Sequence, residues 1–232
     1  MTPHCPGHES RDRLLDEAVR AILSSVDLQV VLERAGTLLR EQFGATRLSI
    51  HRCVEDAEES LEVLLVDDPK RERSSEPLRR GARIPLEGSA SGRAVRERRP
   101  FVLHDLASGR TGLREEKELA PLGYGALICF PLVFEDRVLG TLEIAHAPRE
   151  GLLDCCLETA GRMANLLAIA LHNSLMVDEV RRLNRALDRE NTLLKEQIRQ
   201  TRGESRYIAE SSRMRAVVDK VKLVAPEETT VL

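Results

Sequence analysis

The chain has 232 residues, 42% hydrophobic and 31% charged, enough apolar material for one folded domain plus an extension and too much for wholesale disorder. Its net charge of −3 gives no global attraction to nucleic acid, so any DNA contact would fall to a segment outside it. Aromatics are only 3% with no Trp, which leaves Leu, Val, Ile and Ala to build the core.

Residues 1–10 read as a mobile tail without the apolar core of a signal peptide. His4, Cys5 and His8 stand at metal-like spacing there, but they lack a fourth ligand and a supporting shell, so a disordered terminus is the simpler reading. No apolar run approaches the roughly 20 residues needed to span a bilayer. The five cysteines (Cys5, Cys53, Cys129, Cys155 and Cys156) are an odd set without scaffold spacing, and adjacent Cys155 and Cys156 could pair only in a strained ring. Reduced thiols in a cytoplasm fit best.

Leu14, Leu15, Ala18, Val19, Ile22 and Leu23 mark a first helix with one apolar stripe. Asp27 is the expected N-cap of a second, whose Leu28, Val31, Leu32, Ala35, Leu38 and Leu39 share a face and which Gly44 ends. Residues 46–54 then alternate strictly, with Leu48 and Ile50 on one side and Ser49, His51 and Cys53 on the other. A second strand, 61–68, leads into a loop with many charges of both signs, expected to be an ordinary solvated surface. Gly88 and Ser89 suit a turn and helix start, 90–98 a short helix, and Pro100 a stop before another strand ending at His104 and Asp105. A helix near 114–122 precedes two strands joined by a tight turn at Glu135 and Asp136, a β-hairpin. Helix, helix, strands with helical crossovers, then a long helix describe an α/β or α+β domain.

The segments IPLEGSASGRAVRERRPFVLHDL and CFPLVFEDRVLGTLEIAHA together resemble a GAF domain, with Ile84, Pro85, Gly88, Gly92, Pro100, Asp105, Pro131, Leu132, Gly140 and Leu142 at the places of that family's pattern. The resemblance covers 11–175. It implies an α+β fold with an antiparallel sheet of about six strands, helices over one face and either a small-molecule pocket or a closed core on the other. If the polar strand faces converge, Ser49, His51, Cys53, His104, Asp105 and Glu143, with Thr141 beside them, would line a site for an unidentified small molecule. No metal-ligand motif can be matched among them. The Asn-Lys segment of cyclic-nucleotide-binding GAF domains is absent, which argues against cyclic GMP or cyclic AMP.

From about Leu152 to Gly203 the chain has no Pro and one Gly, predicting a helix of about 75 Å. Cys155 and Cys156 fall near its start, read as small core residues rather than activated thiols. Leu153, Leu157, Ala160, Ala164, Leu167, Leu171 and Leu175 form a stripe able to cover the sheet. The period then changes to a heptad over 176–202, with Val177, Asn184, Asn191 and Ile198 at a and Val180, Leu187 and Leu194 at d. Such a seam predicts a parallel two-stranded coiled coil, hence a homodimer, in which Asn at a pairs across the axis.

In the tail, Ser211, Met214, Val217, Val218, Val221, Val224, Ala225 and Pro226 keep helical spacing, and 229–232 turn strand-like. Residues 203–232 resemble the opening helix and first strand of the AAA+ ATPase domain of sigma-54-dependent activators, with Glu210 departing from the Gly usual before the Ser-x-x-Met element. The resemblance implies a regulatory region of such an activator. The ATPase, its ATP and Mg²⁺, and contacts with sigma-54 RNA polymerase and DNA would lie beyond Leu232. Catalysis has no positive sign in the sequence. Two other classes stay open: a GAF module that dimerises without ligand, and a thiol enzyme of the free methionine sulfoxide reductase kind using Cys53 or Cys129 with a second thiol.

Overall fold

A computed structural model describes residues 16–17, 19–20, 27–43, 47–54, 59–70, 78–147, 154–201 and 211–224. The His4–Cys5–His8 tail, Gly44, Gly203 and the strand expected at 229–232 lie outside them. So does the expected first helix, except for Asp16, Glu17, Val19 and Arg20, which are helical and exposed. The chain divides into two units, Met1–Glu179 and Val180–Leu232.

The first unit is built on a six-stranded sheet in the order β3-β2-β1-β6-β5-β4. Its strands are β1 Arg47–Cys53, β2 Ser60–Asp67, β3 Arg83–Pro85, β4 Phe101–Leu103, β5 Ala126–Phe134 and β6 Arg137–His146. Every pairing is antiparallel. The short β3 was not foreseen as a strand; three residues are too few for a period-2 signal, and its ladder to β2 sets it at the edge. The hairpin β5–β6 turns at Glu135 and Asp136, where Glu135 takes a left-handed φ of 51° and Arg98 donates to the Asp136 carbonyl.

Alternation along the central strands decides what each face carries. Leu48, Ile50, Ile128, Phe130, Leu142 and Ile144 are buried on one face. Against them pack Leu32, Ala35 and Leu39 of α1 (Leu28–Phe43) and Ala160, Met163, Ala164, Leu167 and Leu171 of the first part of α4 (Asp154–Thr201). Asp27 begins α1 as its composition predicts, its Oδ1 accepting the Gln29 N–H at 2.9 Å. The 48 residues of α4 match the Pro-free stretch that predicts them, and place Cys155 and Cys156 in its first turn.

The opposite face is covered by α2 (Ala90–Glu97) and α3 (Arg114–Leu119) with the 3-10 turns Leu106–Ser108 and Ala120–Leu122. Ser89 caps α2 by accepting the Gly92 N–H at 2.9 Å. The buried face of α2 is Ala90, Ser91, Gly92 and Ala94, small enough for the helix to lie close to the strands. At Gly92 a Cβ would stand 1.8 Å from the Leu86 carbonyl oxygen.

In the second unit, α4 continues to Thr201 and α5 spans Ser212–Val224. No helix among the described residues is long and apolar enough to cross a membrane.

Candidate functional site

The polar faces converge on β1 and β6, at the centre of the sheet. Register puts Ser49 opposite Glu143 and His51 opposite Thr141, while Cys129 of β5 flanks Glu143 from the other side. All five are buried. Glu143 is the hub. Its Oε2 accepts from Ser49 Oγ at 2.9 Å and from Arg47 Nη1 at 3.3 Å, and its Oε1 accepts from Ser91 Oγ at 2.7 Å. Arg47 also donates to Ser49 Oγ at 3.2 Å and pairs through Nε with Asp68 at 3.3 Å. His51 Nδ1 lies 3.0 Å from Thr141 Oγ1, which in turn is 3.1 Å from Ser91 Oγ.

The covering helices join the same network. Glu115 of α3 accepts the Ala90 N–H at 2.9 Å, and Arg114 donates its backbone N–H to Gly88 and its Nη2 to Glu115. Asp68 accepts a 2.6 Å hydrogen bond from the Tyr124 hydroxyl, whose ring lies under Lys70 Nζ at 4.3 Å.

Charge states follow from these contacts. Burial works against ionisation of Glu143, but His51, Arg47 and the Ser91 hydroxyl outweigh it and bring the carboxyl down to about 2. Burial pushes His51 down to about 4, Glu143 offsetting it only in part. At neutral pH the imidazole is therefore uncharged, and Arg47 is the cation that keeps Glu143 ionised. Burial and the neighbouring Glu143 raise the Glu115 carboxyl, against Arg114 and the Ala90 N–H. Burial, then Glu143 and Glu115, push the Cys129 thiol well up, and burial alone takes Cys53 to about 11. Both thiols are protonated at neutral pH, without the thiolate character that redox or nucleophilic work needs.

Of the residues expected to line a site, the structure brings Ser49, His51, Thr141 and Glu143 together. Cys53, two residues beyond His51, is half-buried in an apolar cluster with Leu61, Val63 and Ile84. His104 and Asp105 are apart from the group and exposed. Asp105 caps the following 3-10 turn instead, accepting the Ser108 N–H at 3.2 Å, because the chain turns at the end of β4 rather than running on over the central strands. Other members were missed, Arg47, Ser91, Asp68, Arg114 and Glu115 among them. Arg47 shares the parity of Ser49 and could have been read from the same alternation. Ser91 lies in the helix start already singled out. Arg114 and Glu115 carry no local signal, since only the path of 104–113 brings them over the sheet.

Among the described residues no group of three His, Cys, Asp or Glu could hold a metal ion. On α4, the a and d positions beyond the sheet, Val180, Asn184, Leu187, Asn191, Leu194 and Ile198, are exposed. Val177 is half-buried.

Comparison with known proteins agrees with this architecture. The formate hydrogenlyase transcriptional activator FhlA of Escherichia coli (strain K12) is 25% identical over 235 residues, covering 95% of this chain. The chain spans 32% of the length of that relative. Among solved structures, the GAF domain of the Acinetobacter phosphoenolpyruvate-protein phosphotransferase superposes with a TM-score of 0.60 at 15% identity, over 72% of this chain and 95% of that one. Free methionine-R-sulfoxide reductase from Neisseria meningitidis, in complex with its substrate, gives 0.59 at 17% identity, over 73% and 92%. These last two likenesses are of fold alone. The GAF domain family matches residues 27–171, the full sheet with its covering helices, and the chain belongs to that family.

Proposed function

We propose that this chain is the signal-sensing regulatory region of a cytoplasmic sigma-54-dependent transcriptional activator. The observation that carries the reading is the similarity to FhlA over 95% of the chain, through the GAF domain and the helices that follow it. The buried cluster around Glu143 supplies the sensing end: ionic and hydrogen-bonding groups held in the core, where a small molecule that alters one contact alters them all. The exposed heptad of α4 supplies the output end, by pairing with a second copy. Ligand state would bias two arrangements of that helix pair and so restrain or free an ATPase. In this reading the ATPase and the contacts with polymerase and DNA would be supplied by sequence outside this chain, which spans 32% of the length of that relative.

The test joins residues 1–232 to the ATPase and DNA-binding region of a sigma-54 activator and reads a sigma-54-dependent reporter. The chain is expected to change transcription several-fold relative to that region alone, and Ser91→Ala, which removes a donor to Glu143, to shift the response. Equal transcription with and without the chain would sink the reading. A response that needs the chain but ignores Ser91→Ala would favour a dimerising brace without ligand.

A further inference from the structure

Among the described residues two buried atoms of the cluster lack a hydrogen bond: Arg114 Nε, which still faces the Glu118 carboxylate at 3.3 Å, and His51 Nε2, on a side chain that is 0% exposed and with no such neighbour. Counting protons along the network fixes what that atom is. Ionised Glu143 can only accept, so the 2.7 Å contact from Ser91 and the 2.9 Å contact from Ser49 consume the single proton of each serine hydroxyl. The contact between Ser91 and Thr141 at 3.1 Å then holds a proton only if the Thr141 hydroxyl donates to Ser91. With its proton spent there, Thr141 can only accept from His51, so the ring proton sits on Nδ1. The carboxylate of Glu143, 3.9 Å from Nδ1, favours the same tautomer. Turning Thr141 the other way would leave two oxygens facing each other with no proton between them, beside an unpaired Nε2–H. The relay therefore runs from His51 through Thr141 and Ser91 to Glu143, and it leaves Nε2 as a bare lone pair.

A buried acceptor left without a donor has given up its hydrogen bond to water with nothing in return, so a donor brought to it is favoured. We propose that His51 Nε2 is the contact point for the sensed ligand, a small neutral molecule that presents an N–H or O–H donor, such as a primary amide. This deepens the sensory reading above and rests on it. A small anion fails at this atom for two reasons. It would meet a lone pair, and Arg47, the cation nearest the hub, is already engaged by Glu143, Ser49 and Asp68. The Arg114 guanidinium is likewise engaged, by Glu115 and Glu118. A metal ion would also accept the lone pair, but it needs further ligands, and no group of three exists among the described residues. A ligand donor at Nε2 would draw on a polarised chain, so the contact is felt at Glu143, three hydrogen bonds away.

The test is nitrogen-15 NMR of the histidine rings in the full chain, titrated separately with acetamide and with acetate, two probes alike in shape that differ in donor and charge. His51 is expected to show protonated Nδ1 and unprotonated Nε2, and acetamide to move the Nε2 resonance saturably while equal acetate leaves it in place. Thr141→Val, which removes the acceptor for Nδ1–H, should abolish the single-tautomer pattern and weaken the acetamide response. A protonated Nε2 overturns the relay. An acetate shift equal to or larger than that of acetamide overturns the ligand class while the sensory reading stands on its reporter. Silence with both probes, as a site that holds only water would give, overturns the ligand contact, again without touching the reporter result.

Discussion

Arg47 and Glu143 are each almost fully buried, and Arg47 is the adjacent cation that helps keep Glu143 ionised. A buried pair of this kind adds little over a well-packed apolar pair, but removing one member strands the other. Arg47→Met leaves Glu143 with the Ser49 and Ser91 hydroxyls and no adjacent cation. We expect a loss of about 3–5 kcal/mol, read as a lower urea midpoint. His51 governs a different pH range. Its folded value of about 4 lies below the usual 6.5, so the unfolded chain binds the extra proton first. Stability is then full above pH 6.5 and falls as pH drops toward 4, by about 3 kcal/mol. Glu143, with a folded value of about 2 against 4.5, begins to lose its contribution at about pH 4.5, at the acid end of that window, and loses the rest as pH falls through 2. Glu115, held up by burial and Glu143, acts in the opposite sense, favouring the fold at low pH and losing that benefit as pH rises. Comparison with His51→Gln isolates the histidine. The variant should flatten urea-derived stability between pH 6.5 and 4, and an unchanged slope would contradict a buried neutral ring.

At the level of elements, the site exists because two backbones approach where side chains are missing. A Cβ at Gly140 would stand 2.0 Å from the His51 carbonyl oxygen, in the ladder that sets His51 opposite Thr141. Gly140→Ala must therefore part β1 from β6. We expect a loss above about 3 kcal/mol, or no cooperative melting, whereas Ser89→Ala, which removes the α2 cap and the hydroxyl's hydrogen bond to the Leu86 carbonyl, should cost about 1–2 kcal/mol. Circular dichroism melts of the two variants measure the contrast. Much of this layer was legible beforehand: the alternation of 46–54 separated Leu48 and Ile50 from Ser49 and His51, and the Pro-free run from Leu152 gave α4. What sequence could not show was the convergence of distant loops. Glu115 reaches the α2 N-terminus only because Leu106 is held by the Gly125 carbonyl and Arg114 by the Gly88 carbonyl, contacts that leave no periodic trace. The same blindness set His104 and Asp105 beside the cluster, since a strand ending in polar residues reads alike whether it turns inward or out.

For the whole molecule, the proposed regulation depends on how a second copy meets α4. Val180, Leu187, Leu194 and Ile198 are 50–60% exposed, which is unfavourable for a helix that stays alone. Asn184 and Asn191 choose among the ways of covering them. In a parallel, in-register pair each Asn meets its own counterpart and the two amides bond. An antiparallel pair sets them against leucines at d, and a slip of one heptad sets Asn191 against Ile198 and Asn184 against Val177. Charge favours the same arrangement, because parallel pairing brings Glu190 at g of one copy beside Lys195 at e of the other. Asn191→Cys should then give a disulfide-linked dimer under mild oxidation well above the level of the unaltered chain, since a positions in register face each other across the axis. Leu187→Glu combined with Leu194→Glu should sediment as a monomer while the GAF domain keeps its melting transition, because the sheet and its covering helices are complete without the second unit's seam. A dimer that survives both charges, or an Asn191→Cys chain that never crosslinks, would mean that α4 does not bring two sensors together and that the signal must leave the GAF domain by another surface.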